Sequence, residues 1–181
     1  MSPPSTEPSV YRYPFGNLLP DYLRAALGTA LLAVPFFYSF GGHWMVTIGV
    51  GALFFLFVSF GVTTAIRQFS ALWSDQHGLR VEGPRPKAIP WDAVSSIDLR
   101  YFSTRREKDK GWFELKVKGN GTQIKADSNL NDLYGLLSEV ATAVTRHGLS
   151  LTPIARENFQ AAGFTLPEPG EQNGERDRGS P

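Results

Sequence analysis

Two apolar runs dominate the first third of the chain. One covers residues 22–40 (YLRAALGTALLAVPFFYSF) and the other residues 44–66 (WMVTIGVGALFFLFVSFGVTTAI). At a helical rise of about 1.5 Å per residue, each is long enough to cross a hydrocarbon core of about 30 Å. Only Gly41, Gly42 and His43 separate them. The pattern therefore predicts two antiparallel helices joined by a turn that Gly-Gly permits without steric cost. Pro35 is expected to kink the first helix or soften its outer end. Small residues at Ala26, Ala30, Gly49 and Gly51 are expected to let the two helices approach.

Beyond residue 66 the period changes. Residues 69–73 continue into a strand, His77-Gly78 makes a turn, and residues 79–82 return. Residues 88–91 form a short strand in which Pro90 must sit at an edge or a strand end. In residues 94–102, Ile97, Leu99 and Tyr101 share a face. The charged stretch 105–110 reads as a loop. Residues 112–118 alternate cleanly, with Phe113, Leu115 and Val117 opposed to Glu114, Lys116 and Lys118. Gly119-Asn120-Gly121 then supplies a tight turn before the partner strand 122–126. Leu133, Leu136, Leu137, Val140, Ala141 and Val144 follow the stripe of an amphipathic helix, with Asn131 or Asp132 as N-cap and Gly148 at its end. That stripe is expected to cover the open face of the strands. Thr152-Pro153 starts a further short helix reaching about residue 162.

The chain thus divides into an irregular leader (residues 1–19, with Pro3, Pro4, Pro8 and Pro14), a transmembrane hairpin (20–66), a compact domain (67–164) and a disordered tail (165–181). The tail is rich in Gly, Pro and charge and too poor in apolar residues to offset its ordering entropy. The expected fold class is an α+β membrane protein: a two-helix transmembrane hairpin followed by a small antiparallel β-sheet capped by a C-terminal amphipathic helix.

Charge sharpens this picture. The 181 residues carry 18 Lys and Arg against 17 Asp and Glu, yet none of these lies between Ala25 and Ile66. Arg12 and Arg24 flank the first run, Arg67 and Arg80 follow the second, and the connecting turn has no base. The positive-inside bias then puts both termini in the cytoplasm, with Tyr22, Tyr38 and Trp44 at interfacial positions. Two competing readings remain at this point: a cleaved signal followed by a single anchor, and a buried hairpin of a soluble protein. The late start of the first run and the absence of a small-x-small cleavage site weigh against the signal, and the length of the paired runs against the buried hairpin. A net charge of +1 argues against a nucleic-acid binder. The absence of Cys excludes disulfides, thiolate metal sites and a cysteine nucleophile.

The run Gly78-Leu79-Arg80-Val81, followed by Ile89-Pro90-Trp91-Asp92-Ala93-Val94-Ser95-Ser96-Ile97, resembles a pattern of bacterial membrane-anchored pleckstrin-homology-like (PH-like) proteins. These have a G-L-x-V strand followed by an I-x-W-x-x-I/V-x-x-I segment. The resemblance covers about residues 20–150. It implies a curved sheet capped by a helix, used for binding or scaffolding, usually without catalysis, in the bacterial inner (cytoplasmic) membrane. The segment after the hairpin offers fewer strands than a full pleckstrin-homology domain, and it lacks a phosphoinositide-type basic motif.

Candidate chemistry is sparse. His43, His77 and His147 fall in a turn, a loop and a helix end, which the topology keeps apart, so no metal site is expected. No nucleophile elbow, phosphate loop or catalytic carboxylate pair stands out, so neither an enzyme, a cofactor nor a small-molecule substrate is expected. Trp91 and Trp112 suit roles that fill a core or cover its edge, with contact to a partner as the alternative. The candidate contact residues for lipid or a partner are Arg105, Arg106, Lys108, Lys110 and Trp112. Four bases against two acids give an excess of +2 that suits either anionic headgroups or a solvated loop. The expected role is an adaptor or assembly factor binding a membrane or cytosolic protein, with a lipid-responsive surface domain as the alternative.

Overall fold

The computed structural model describes residues 8–39, 42, 44–104 and 107–166, with backbone alone at 104 and 107–110. The chain is α+β, built from helices and two antiparallel sheets. Strand β1 (Ser9–Arg12) precedes helix α1 (Phe15–Tyr38) and helix α2 (Trp44–Gln68). Next come β2 (Ala71–Ser74), β3 (Gly78–Glu82) and β4 (Lys87–Pro90), and a 3₁₀ turn over Trp91–Ala93. Strands β5 (Val94–Thr104), β6 (Glu107–Gly119) and β7 (Thr122–Asp127) lead into α3 (Leu133–His147) and α4 (Pro153–Ala161).

The expectation of an irregular leader is corrected by β1. Pro8 and Pro14 bracket this strand rather than interrupt it, and Tyr11 turns inward at 5% exposure. With four residues, β1 is too short for its alternation to register in the sequence. It pairs antiparallel with β2 from Ser9↔Ser74 to Arg12↔Ala71. The helical hairpin is therefore inserted between two neighbouring strands of one sheet, whose order is β1-β2-β3-β4. The second sheet, β5-β6-β7, replaces the single sheet expected. At its β6–β7 turn, Asn120 and Gly121 both take positive φ (51° and 68°), as the Asn-Gly sequence favours.

All six positions of the apolar stripe on α3 are buried. Asp132 caps its start by accepting from the Gly135 N–H at 2.8 Å, and Gly148 ends it in the left-handed region. The core joins this stripe to Leu79, Ile89, Trp91, Ile97, Leu99, Leu115 and Val117. Trp91 is 3% exposed and its ring N–H donates to the Asp75 carbonyl, so its core role holds. The C-terminal segment closes the edge of β5. The Ile97 N–H donates to Ser150 O, Thr152 N–H to Ile97 O, and Asn158 Nδ2 to Leu99 O. An edge covered this way is protected from pairing with other chains.

Helices α1 and α2 pack on each other through Gly28 against Phe57, Gly51 against Phe36, and Gly61 against Ala25. Phe36 also stacks on Phe54 at 5.1 Å. Of the small residues expected at this contact, Gly51 is there, while Ala26 and Ala30 are exposed and Gly49 faces open space. The inward face of α1 is fixed by helical phase, which runs through Ala25 and Gly28. Among the described residues α2 is the one helix long and apolar enough to cross a membrane. Helix α1 starts at Phe15, earlier than the expected span, and carries Pro20, Asp21 and Arg24 in its first half.

Candidate functional site

Of the residues singled out in the sequence, Lys108, Lys110 and Trp112 lie on β6, in a long β-hairpin with β5. The expected loop 105–110 is shorter than the pattern suggested: β6 begins at Glu107, and Thr104↔Glu107 is the last pair of the β5–β6 ladder. A backbone ladder is satisfied whatever the polarity of its side chains, which is why a charged stretch extends as strand. Arg105 and Arg106 lie outside the described residues, as do residues 1–7, His43 and the tail from residue 167. Lys108 and Lys110 belong to β6, with backbone alone described. Trp112, a candidate contact residue that also suited a core or its edge, is 45% exposed and stacks on Phe102 with ring centroids 5.5 Å apart. Strand β7 ends opposite Glu114, at Asp127, so residues 107–113 project beyond it as a two-stranded arm. One face of the arm carries Phe102 and Trp112, and Tyr101 packs on Phe113 at 5.0 Å. The buried end of the supposed tail also differs: Leu166 is in the core.

A second feature was not legible in the sequence. Where the end of α2 meets both sheets, a cavity of about 400 Å³ opens between them. Ile66 from α2, Leu72 and Val81 from the first sheet, and Ile124 and Ala126 from β7 give it an apolar floor. Four bases reach it: Arg67, Arg85, Lys87 and Lys125. Two acids reach it as well, and both are engaged. Asp127 pairs with Arg67 at 3.3 Å, and Glu114 with Lys116 at 2.5 Å. Lys87 Nζ donates to the Gln123 carbonyl at 2.8 Å. Arg85, Lys87 and Lys125 are exposed and have no acidic partner among the described residues. Tyr13 lines the same cavity, and its phenol is pushed well above its ordinary value of 10.0, first by burial and then by the charge of Asp127.

The four bases come from three separate stretches of chain, Arg67, Arg85 with Lys87, and Lys125, each in an unremarkable context. The sole sequence signal was Lys125, alternating outward between Ile124 and Ala126. A smaller pocket of about 180 Å³ lies at the opposite end of β2, between Ser74, Asp75 and α3. Glu139 lines it with one carboxylate oxygen buried and unpartnered, and its charge helps hold the Tyr11 phenol neutral. Among the described residues no three His, Asp or Glu side chains converge as metal ligands would.

No family model, curated protein or solved structure matches this chain. The functional reading rests on its own geometry.

Proposed function

We propose that the chain is a non-enzymatic adaptor or assembly factor of the bacterial inner membrane, with α1 and α2 crossing as a hairpin, both termini cytoplasmic, and a PH-like domain holding a protein partner. The observation that carries the reading is the Arg12↔Ala71 pairing. Two residues link β1 to α1 and two link α2 to β2, so the domain is clamped to the hairpin on both sides. A clamped domain presents one face in a fixed direction, which lowers the ordering cost of docking. The outward apolar faces of both helices support the membrane placement, with Leu27, Leu31, Phe37, Met45, Ile48 and Leu56 all exposed. Strand β1 also supports the PH-like reading, since it adds to the short strand complement of the segment after the hairpin.

The arm is the surface for the partner. Exposed Phe102, Trp112 and Tyr101 are the residue types that anchor protein interfaces. The test is purification of the tagged protein in mild detergent with stoichiometry after a salt wash. A stoichiometric protein retained by the wild type and released by Phe102→Ser with Trp112→Ser supports the reading, and its retention by the double variant refutes the assignment to the arm. The excess of +2 in the sequence of residues 105–110 favours a second reading, contact with anionic headgroups. Unchanged affinity for anionic liposomes after changing Arg105, Arg106, Lys108 and Lys110 to Gln removes it.

A further inference from the structure

We infer that the cavity between the end of α2 and the two sheets holds the phosphate-bearing headgroup of an anionic membrane lipid. The inference rests on the hairpin crossing the membrane but not on the protein partner. Thr63 and Ile66, in the last turns of α2, are part of the cavity wall. A cavity sharing its wall with the end of a membrane-crossing helix lies at the level of the lipid headgroups. Its volume of about 400 Å³ is in the range of small-molecule sites.

Charge selects the occupant. With Asp127 committed to Arg67 and Glu114 to Lys116, the groups left facing the cavity are Arg85, Lys87 and Lys125. Their three positive charges sit on β4, β7 and the β3–β4 connection, and Lys87 reaches the Gln123 carbonyl of β7, so they gather where β4 meets β7. Below them the floor of Ile66, Leu72, Val81 and Ile124 is apolar. A bare anion would leave the half-buried Ile66 and Val81 wet, whereas a phosphodiester carrying glycerol and the roots of its acyl chains satisfies both halves. Basic pockets at the cytoplasmic ends of membrane helices hold lipid headgroups in this manner.

The experiment uses the full-length protein extracted from membranes containing phosphatidylglycerol and phosphatidylcholine, with bound lipid counted by native mass spectrometry. The wild type is expected to retain phosphatidylglycerol over phosphatidylcholine. Arg85→Gln, Lys87→Gln and Lys125→Gln together are expected to weaken retention on the order of 100-fold, about fivefold for each base. Arg80→Gln with Lys118→Gln, which changes bases outside the cavity, is the control for diffuse surface charge. The single reversal Lys125→Glu, at an exposed strand position, repeats the test with a smaller perturbation of the fold. Equal retention by the triple variant and wild type overturns the inference, as does equal loss in the control. Displacement of the lipid by millimolar inorganic phosphate overturns it in favour of a free-anion site. Release of the protein from membranes by carbonate refutes the hairpin and the lipid site together. Carbonate-resistant protein whose triple variant keeps its lipid refutes the lipid site alone.

Discussion

Replacing Gly28 by Val tests the packing of the hairpin most directly. A Cβ built at Gly28 meets the Phe57 ring at 2.2 Å from Cδ1, 2.4 Å from Cε1 and 2.5 Å from Cγ. Carbon atoms in favourable contact lie about 3.5–4.0 Å apart, so the new atom falls inside the ring's own envelope. Either the ring leaves its rotamer, at about 0.5–1.5 kcal/mol, or the helices separate and lose contacts along their length. Overpacking of this kind costs about 1–3 kcal/mol. Val has a helix propensity better than Gly by a few tenths of a kcal/mol, which offsets a small part, leaving a net loss of about 1–2 kcal/mol. Gly49→Val is the matched control, because a Cβ there meets nothing within 4 Å. The assay is unfolding of the full-length protein in mixed micelles as the fraction of dodecyl sulfate rises. Gly28→Val should unfold earlier than wild type, and Gly49→Val should not. Adding Phe57→Ala to Gly28→Val should recover part of the loss, as expected of residues in direct contact. If the two glycine variants behave alike, or if Phe57→Ala makes the loss deeper by its full separate cost, the helix contact described here is wrong.

Three further outcomes are expected. Phe159 is fully buried and packs edge-on against Phe164 at 5.9 Å, so Phe159→Ala should cost about 3–5 kcal/mol, while Ile154→Ala, at 57% exposure on the same helix, should cost about 0.5 kcal/mol or less; thermal midpoints of the two variants check this. Asp132→Ala removes the cap on the Gly135 N–H and should cost about 0.5–2 kcal/mol, most of which Asp132→Asn should restore in the same measurement. Tyr11 and Tyr13 are both held neutral in the fold above their ordinary value of 10.0, chiefly by burial, with Glu139 and Asp127 adding to it. The unfolded chain loses these protons first, so their contribution is complete below about pH 10 and declines above it, by up to about 1.4 kcal/mol per pH unit for each tyrosine. The thermal midpoint should fall on raising the pH through this range, and Tyr11→Phe should make the fall shallower.

The elements with a long, regular pattern were readable from the sequence. The α3 stripe, its Asp132 cap and Gly148 end, the Phe113-Leu115-Val117 alternation and the Asn-Gly turn all reflect local periodicity, and each is where that periodicity put it. What escaped were features fixed by distant partners. Strand β1 exists because β2, nearly sixty positions away, offers it a ladder, and four residues between prolines give little sign of that. The charges at 107–110 suggested a loop because side-chain polarity says nothing about a hairpin ladder that backbone groups alone sustain. The choice between Ala25 and Ala26, or Gly49 and Gly51, at the helix contact needed the rotational phase of each helix, which runs of uniformly apolar residues conceal. The cavity bases were invisible for the related reason that Arg67, Arg85, Lys87 and Lys125 meet only when both sheets and α2 are in place.

Inserting the hairpin inside a sheet, rather than before it, makes the domain and the helices depend on each other. Arg12 and Ala71 pair across an intervening stretch of about 58 residues, and closing a flexible loop of that length costs about 2 kcal/mol more than closing one of about six. Once α1 and α2 pack antiparallel, the intervening chain shrinks to Tyr13 and Pro14 on one side and Phe69 and Ser70 on the other. The entropic cost of the β1–β2 ladder is then met by helix packing. Tyr22 donating to Gln68 at 2.5 Å, Asn131 receiving the Arg12 N–H at 3.0 Å, and Asn17 reaching the Asn129 carbonyl at 2.9 Å bind the same junction from three directions. Loosening the helices must therefore loosen β1, and with it the inward Tyr11, whose phenol feels the charge of Glu139 on α3. Strand β1 and the Asn17 and Asn131 hydrogen bonds tie the hairpin to the segment that leads into the capping helix, so the order of the domain core and the order of the helices are parts of a single equilibrium.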